Sequence, residues 1–152
     1  MIHLVRHADA GSRKRWNGED RIRPLSDKGH RQAKEIAASL VELSVSRLLS
    51  SPYVRCIQTL RPVAEATQLP LDEHPALTEG AGPDAVAALL WDLPSASVLC
   101  SHGDVLGDLV GLLAAEGAPL DPGLGFAKGG MWTIRREGRR IVEARYRGAP
   151  SV

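Results

Sequence analysis

Apolar residues along this chain follow two patterns, short continuous runs and a spacing of three to four. The runs at residues 2–5, 47–50 and 97–101 are short and rich in leucine, isoleucine and valine, which predicts three buried strands. The other pattern is clearest after Ser26, where apolar side chains recur at Ala33, Ile36, Ala37, Leu40 and Val41. This spacing predicts an amphipathic helix with Ser26 as its N-cap and Asp27 in its first turn.

Three further helices and two further strands complete the predicted order. Ser51-Pro52 opens a second helix with Val54, Ile57 and Val63 on one face, and Pro62 is expected to kink or end it. Helices are also predicted over 83–93 and 105–115, and strands over 131–135 and 140–146 with a hairpin turn at 137–139. The order β-α-β-α-α-β-α-β-β predicts a three-layer α/β/α fold, whose mostly parallel sheet carries an antiparallel C-terminal edge.

Composition narrows the class of protein. The 152 residues suit one domain, and a formal net charge of +1 argues against a partner such as nucleic acid or an anionic membrane. Cys56 and Cys100 lack disulfide or metal spacing, so both are expected to remain thiols in a reducing compartment. With no leader or membrane-spanning segment visible, we expect a cytoplasmic protein that contacts no membrane. No pattern indicates an oligomeric state.

Polar residues capable of chemistry follow each of the three buried strands. Arg6 and His7 end the first, Arg55 lies in the first helical turn after the second, and His102-Gly103 follows the third. Taken singly, each has a structural explanation: His7 and His102 as hydrogen-bonded histidines, Arg55 as a solvated arginine. Because the carboxyl ends of parallel strands share one sheet edge, however, two imidazoles and two guanidinium groups can converge there on one tetrahedral anion. This combination predicts a phosphate site.

The same residues resemble a known family in order and spacing. Its motifs are matched by Arg6-His7-Ala8, by Ser51-Pro52 with Arg55 and Gln58-Thr59, by Leu77 with Glu79, and by Ser101-His102-Gly103. The chain thereby resembles the histidine phosphatase superfamily, which implies a phosphoglycerate mutase-like fold. Arg23-Pro24-Leu25 followed by Gly29 looks most like the SixA-type phosphohistidine phosphatases. The segment around Arg6-His7 also resembles the phosphatase half of actinobacterial Nudix fusion hydrolases, although no Nudix half is expected within these residues. Alanine replaces the usual glycine after His7.

The resemblance implies roles for individual residues. His7 would attack phosphorus and become phosphohistidine, while Arg6, Arg55 and His102 would hold the phosphoryl oxygens. Glu79 matches the family's proton donor, though a phosphohistidine substrate would need less help from an acid. No cofactor and no metal are implied. The expected partner is a phosphorylated substrate: phosphohistidine on a protein, or a nucleotide, its diphosphate or another small phosphate ester.

A basic loop follows the nucleophile. Its cations, Arg13, Lys14, Arg15, Arg21 and Arg23, could grip a second phosphate or an acidic protein surface, or form a solvated charged loop. Within this loop, Ser12 and Arg13 are candidate phosphate-binding residues.

Two alternatives from other classes stay open. The pairs His7-Ala8-Asp9 and His102-Gly103-Asp104 could ligate zinc or manganese, although Arg6 and Arg55 would repel a cation. The chain could instead be a module that binds phosphorylated ligands without hydrolysing them.

Overall fold

A computed structural model describes residues 1–123 and 125–152. It contains six strands and four α-helices: β1 (Ile2–Arg6), α1 (Asp27–Glu42), β2 (Arg47–Ser50), α2 (Val54–Thr67), β3 (Leu71–Glu73), α3 (Pro83–Asp92), β4 (Ser97–Ser101), α4 (Gly103–Ala115), β5 (Met131–Glu137) and β6 (Arg140–Arg147). Two 3₁₀ turns, Asp20–Ile22 and Pro75–Leu77, lie in the connections. No helix among these residues is long and apolar enough to cross a membrane.

The six strands form one mixed sheet in the order β3-β2-β4-β1-β5-β6. Strands β3, β2, β4 and β1 pair in parallel, whereas β5 pairs antiparallel with β1 and with β6. One core cluster joins the sheet to α1 and α2, and a larger cluster joins it to α3 and α4. The helices therefore cover both faces, which confirms the predicted three-layer α/β architecture and its antiparallel edge.

The helix predicted after Ser26 forms as expected, with one difference on its buried face. The Ser26 hydroxyl accepts a hydrogen bond from the Gly29 amide, which makes it the N-cap. Ala33, Ile36, Ala37 and Leu40 are buried, but Val41 is 43% exposed. Successive residues of a helix are about 100° apart, so Val41 lies on the flank of the buried stripe rather than at its centre.

Helix α2 departs further from its prediction. It continues to Thr67, so of the two alternatives predicted for Pro62, a kink or the end of the helix, the second is wrong. The buried face holds Cys56, Leu60 and Val63, while Val54 and Ile57 are only half-buried. Strand β3 was not predicted, because it is three residues long, lies at the sheet edge and is defined only by its pairing with β2.

Candidate active site

The predicted convergence of strand ends is present in the sheet. Arg6, the last residue of β1, pairs in register with Ser101, the last residue of β4. The His7 amide then donates to the Ser101 carbonyl, and the Ser51 amide, just after β2, donates to the Cys100 carbonyl. The three chain segments therefore leave the sheet side by side, which places their polar residues at one edge.

His7 is held with one ring nitrogen engaged. Its Nδ1 lies 2.8 Å from the Ala8 carbonyl oxygen, which can only accept, so Nδ1 carries the proton. The Nε2 lone pair is thereby left for the cavity that His7 lines. Burial lowers the pKa of His7 to about 3, and the positive charges of Arg55 and Arg6 also lower it. At neutral pH His7 is an uncharged imidazole, the form that can act as a nucleophile.

His102 is fixed in the opposite sense, through Nε2. His102 Nε2 lies 2.8 Å from the Ser51 hydroxyl, which accepts from the Tyr53 amide, and 3.6 Å from Cys56 Sγ. When the Ser51 hydroxyl donates to Nε2, the N–H of the ring is Nδ1, a buried atom with no hydrogen-bond partner among the described residues. The His7 and His102 ring centroids lie 5.6 Å apart. His102 can therefore donate a hydrogen bond to a group placed between the two rings.

The Arg6 guanidinium group packs against the start of α4. Its Nη1 donates to the Phe126 carbonyl at 2.6 Å, and its Nε is buried without a partner in the described part of the chain. A Cβ atom on Gly103 would lie 2.8 Å from Arg6 Cζ. The absence of a side chain at Gly103 thus allows the close approach of Arg6 to the backbone.

Arg55 is completely buried, although the sequence taken alone favours a solvated helix arginine. Its Nη1 donates to the Asp20 carbonyl at 2.8 Å and its Nη2 to Asp20 Oδ2 at 2.9 Å. Glu79 Oε2 lies 3.5 Å from the same Nη2. The Nε of Arg55 is again a buried donor without a partner in residues 1–123 and 125–152.

Buried donors without partners are concentrated at this site. Four buried side-chain nitrogen or oxygen atoms lack a partner among the described residues, and three of them are Arg6 Nε, Arg55 Nε and His102 Nδ1. Leaving a buried polar group unpaired costs about 1–3 kcal/mol, so such groups call for a functional explanation. Three such donors, on residues whose charge or ring lies close to the uncharged His7 imidazole, form a set that suits the oxygens of a phosphoryl group.

Glu79 and Arg13 meet at the mouth of the site. Arg13 Nη2 lies 2.6 Å from Glu79 Oε1, and hydrogen bonding to Glu79 raises the pKa of Arg13. The Gly80 amide donates to Asp104 Oδ2 at 2.8 Å, which ties the Glu79 loop to the first turn of α4. The segment that carries Glu79 is therefore anchored beside His102.

The rest of the basic loop divides into two groups. Arg23 is buried and donates to the Ala10 carbonyl and to Asp20. The side chains of Lys14, Arg15 and Arg21 are exposed, as a solvated loop predicts. Ser12 is also exposed and lines a separate hollow with Arg15, so the structure does not bring it to His7.

A cavity of about 510 Å³ opens beside His7 and His102, and the fully buried Arg55 lies behind its wall rather than on it. Predicted site residues on its wall are Arg6, His7, Arg13, Arg23, Glu79 and His102, and the sequence did not single out Phe126 and Lys128, which also line it. The volume exceeds what one phosphoryl group needs and lies in the range of small-molecule sites, so it leaves room for part of a leaving group.

The aspartates of the two His-x-Asp pairs make other contacts. Asp9 Oδ2 accepts from the Ser26 hydroxyl at 2.6 Å, and Asp104 accepts from Gly80. Within the described part of the chain, no three His, Cys, Asp or Glu side chains form a group that could hold a metal ion.

Helix α2 holds the loop after β1 in place through Gln58 and Thr59, two residues that the sequence indicated only as part of the family motif. Thr59 Oγ1 accepts from the Ala8 amide at 3.0 Å, and Gln58 Oε1 accepts from the Leu25 amide at 2.8 Å. Both bonds hold the loop after β1 against α2. Asp20, by contrast, was missed, since an aspartate in a polar loop carries no local signal of a distant arginine.

Comparisons with known proteins agree with this geometry. The family model of the histidine phosphatase superfamily (branch 1) matches residues 2–85. The 8-oxo-(d)GTP phosphatase of Mycolicibacterium smegmatis is 31% identical over 155 aligned positions, which cover 98% of this chain and 48% of that protein. The chain thus spans about half the length of this curated relative.

Solved structures share the fold. The protein histidine phosphatase SixA, solved with tungstate, superposes with a TM-score of 0.75 at 26% identity, covering 93% of this chain and 92% of that one. A mycobacterial glucosyl-3-phosphoglycerate phosphatase superposes with a TM-score of 0.64 at 16% identity, covering 96% and 95%. The fold is of the phosphoglycerate mutase-like type. The chain belongs to the histidine phosphatase superfamily.

Proposed function

We propose that this chain, as one domain over residues 1–152, hydrolyses a phosphoryl group through a phosphohistidine intermediate on His7. The observation that carries the proposal is the uncharged His7 imidazole, with Nδ1 engaged, beside three buried donors that lack partners. In the first step Nε2 forms a bond to phosphorus as the bond to the leaving group breaks. Water then attacks the phosphohistidine, which releases inorganic phosphate and restores His7.

Arg6, Arg55 and His102 have the chemistry to stabilise the transferring group. Their unpartnered N–H groups would donate to its equatorial oxygens, and the two guanidinium charges would offset its negative charge. Because these donors are held by Phe126, Asp20 and Ser51 before any substrate arrives, little reorganisation accompanies the reaction. A metal ion has no role in this scheme, so activity should persist in excess chelator, and a loss that zinc or manganese restores would contradict it.

For the substrate, we propose phosphohistidine on a protein. The similarity to SixA over nearly the whole chain supports this choice. The chemistry of the leaving group is consistent with it, because a phosphoimidazole has little need of a proton from an acid such as Glu79.

A nucleotide is the second candidate. The 31% identity to the 8-oxo-(d)GTP phosphatase extends over 98% of this chain, and that similarity favours a nucleoside phosphate. The cavity is consistent with it, since Phe126 offers an aromatic surface and Lys128 a cation beside the phosphate donors.

One set of assays tests the nucleophile and ranks the substrates. Wild type, His7→Ala and the control His30→Ala, whose side chain is exposed on α1, would be compared on a phosphohistidine peptide, nucleotides and sugar phosphates. We expect His7→Ala to abolish turnover and His30→Ala to match wild type. Acid-labile, base-stable phosphate trapped on wild type should be absent from His7→Ala. Unchanged phosphate release by His7→Ala would refute the mechanism.

A further inference from the structure

Asp20 makes an unusual number of contacts with the site for a residue of a connecting loop. It begins the 3₁₀ turn Asp20–Ile22 and lies 35 positions before Arg55 in the chain. Its carboxylate lies 2.9 Å from Arg55 Nη2, 2.9 Å from Arg23 Nε and 3.4 Å from Arg13 Nε. Burial raises the pKa of Asp20, but hydrogen bonds from Arg23 and Arg55 outweigh it and hold the pKa below its usual value. The group is therefore a carboxylate at neutral pH.

The contacts with Arg55 occupy one defined side of its guanidinium group. Asp20 accepts through two atoms, its backbone carbonyl at Nη1 and its carboxylate at Nη2. Two parallel bonds prevent the planar guanidinium group from rotating. Each of these nitrogens keeps a second N–H, and Nε is the guanidinium nitrogen that is buried without a partner among the described residues. Asp20 thus fixes the plane of the Arg55 guanidinium group, and with it the direction of the Nε–H bond.

Asp20 also closes a ring of alternating charges. Arg13 contacts both Asp20 and Glu79, and Arg55 contacts the same two carboxylates. The ring links the basic loop, α2 and the Glu79 loop, three segments distant in sequence. A change at Asp20 therefore reaches Arg55 directly and Glu79 through Arg13.

We propose that Asp20 is a positioning residue, which orients the Arg55 guanidinium group so that its Nε–H meets the transferring phosphoryl group. The inference rests on the proposed phosphatase function. Asp20 itself touches no reacting atom in this scheme. The opposite relation, in which Asp20 competes with phosphate for Arg55, predicts effects of the opposite sign.

The test compares Asp20→Asn with Glu19→Gln, the same change at an adjacent exposed residue. Steady-state hydrolysis of an aryl phosphate gives kcat and KM, and calorimetry with tungstate measures oxyanion binding without turnover. Because misplacing a group by about 1 Å can cost on the order of 100-fold in rate, we expect Asp20→Asn to lose about 10- to 100-fold in kcat/KM. Tungstate affinity should fall in parallel, and Glu19→Gln should match wild type in both.

A double-mutant cycle shows whether Asp20 acts through Arg55. In an Arg55→Ala background, Asp20→Asn should cause no further loss, since the group that it positions is gone. Thermal unfolding establishes whether the variants are folded. If Asp20→Asn is unstable, Asp20→Glu takes its place in the test. It keeps the charge but moves it by one methylene, and we expect it to lose activity as well.

Three results would overturn the proposal: an Asp20→Asn enzyme equal to Glu19→Gln, tighter tungstate binding by Asp20→Asn, or a loss that persists undiminished without Arg55. Tungstate binding also separates this inference from the proposed function. If aryl phosphate hydrolysis does not depend on His7, the phosphatase mechanism fails, while the effect of Asp20 on oxyanion binding is still measured.

Discussion

Replacing Gly103 with alanine would place a methyl group against the guanidinium group of Arg6. The new Cβ would lie 2.8 Å from Cζ, 2.9 Å from Nε and 3.1 Å from Nη2. Since unstrained contacts between such atoms begin near 3.5 Å, the guanidinium group must retreat by about 0.7 Å. Arg6 cannot do so freely, because its Nη1 is bound to the Phe126 carbonyl.

The expected effect falls on activity and on stability. A shift of this size in a group that holds the phosphoryl oxygens should reduce kcat/KM by about 10- to 100-fold, or about 1.4–2.7 kcal/mol of transition-state stabilisation. Gly103 is helical with a negative φ, so alanine fits its backbone, and the displacement of Arg6 should lower the free energy of unfolding by about 1–3 kcal/mol.

A matched control lies in the same helix. A Cβ on Gly111 would meet nothing within 4 Å, so Gly111→Ala should stabilise the protein by about 0.5–1 kcal/mol and leave kcat/KM unchanged. Both variants would be assayed on an aryl phosphate and unfolded in urea. Full activity in a folded Gly103→Ala protein would show that the position of Arg6 does not matter for catalysis, against the mechanism proposed above.

Three further perturbations probe the packing, the buried histidines and the acid. Gly29→Ala should lower the free energy of unfolding in urea by at least about 1–3 kcal/mol, because its Cβ would lie 1.9 Å from the Asp9 carbonyl oxygen, and an unchanged value would contradict this packing. Burial lowers the pKa of His3 to about 4 and of His7 to about 3, so between pH 6.5 and 4 the unfolded chain binds protons that the folded chain does not. The free energy of unfolding should therefore decrease as the pH is lowered through that window, by up to about 1.4 kcal/mol per pH unit for each histidine. His7→Asn should make this pH dependence less steep, and equal slopes for the variant and wild type would argue against an uncharged, buried His7. Glu79→Gln should slow hydrolysis of an alkyl phosphate by about 100-fold or more and that of phosphohistidine much less, whereas equal losses on both substrates would exclude Glu79 as the proton donor.

Much of the fold could be predicted from local patterns. The strands at β1, β2 and β4 and the helix after Ser26 follow from apolar runs and helical spacing, since burial of one face imposes that periodicity on the sequence. The predictions that were wrong or missing concern features that tertiary contacts determine. Val41 continues the helical spacing of α1 but lies on the flank of the buried stripe and is 43% exposed, and β3 exists only through its pairing with β2.

The candidate site shows the same division. The alternation of strands and helices predicted that Arg6, His7, Arg55 and His102 would meet, because parallel strands end at one edge of the sheet. The burial of Arg55 and its hydrogen bond to Asp20 could not be predicted, since both depend on how the basic loop folds across α2. Periodic burial leaves a signal in neighbouring residues, whereas a salt bridge between distant segments leaves none, and that is why the strand ends were visible in the sequence and the charge ring only in the tertiary structure.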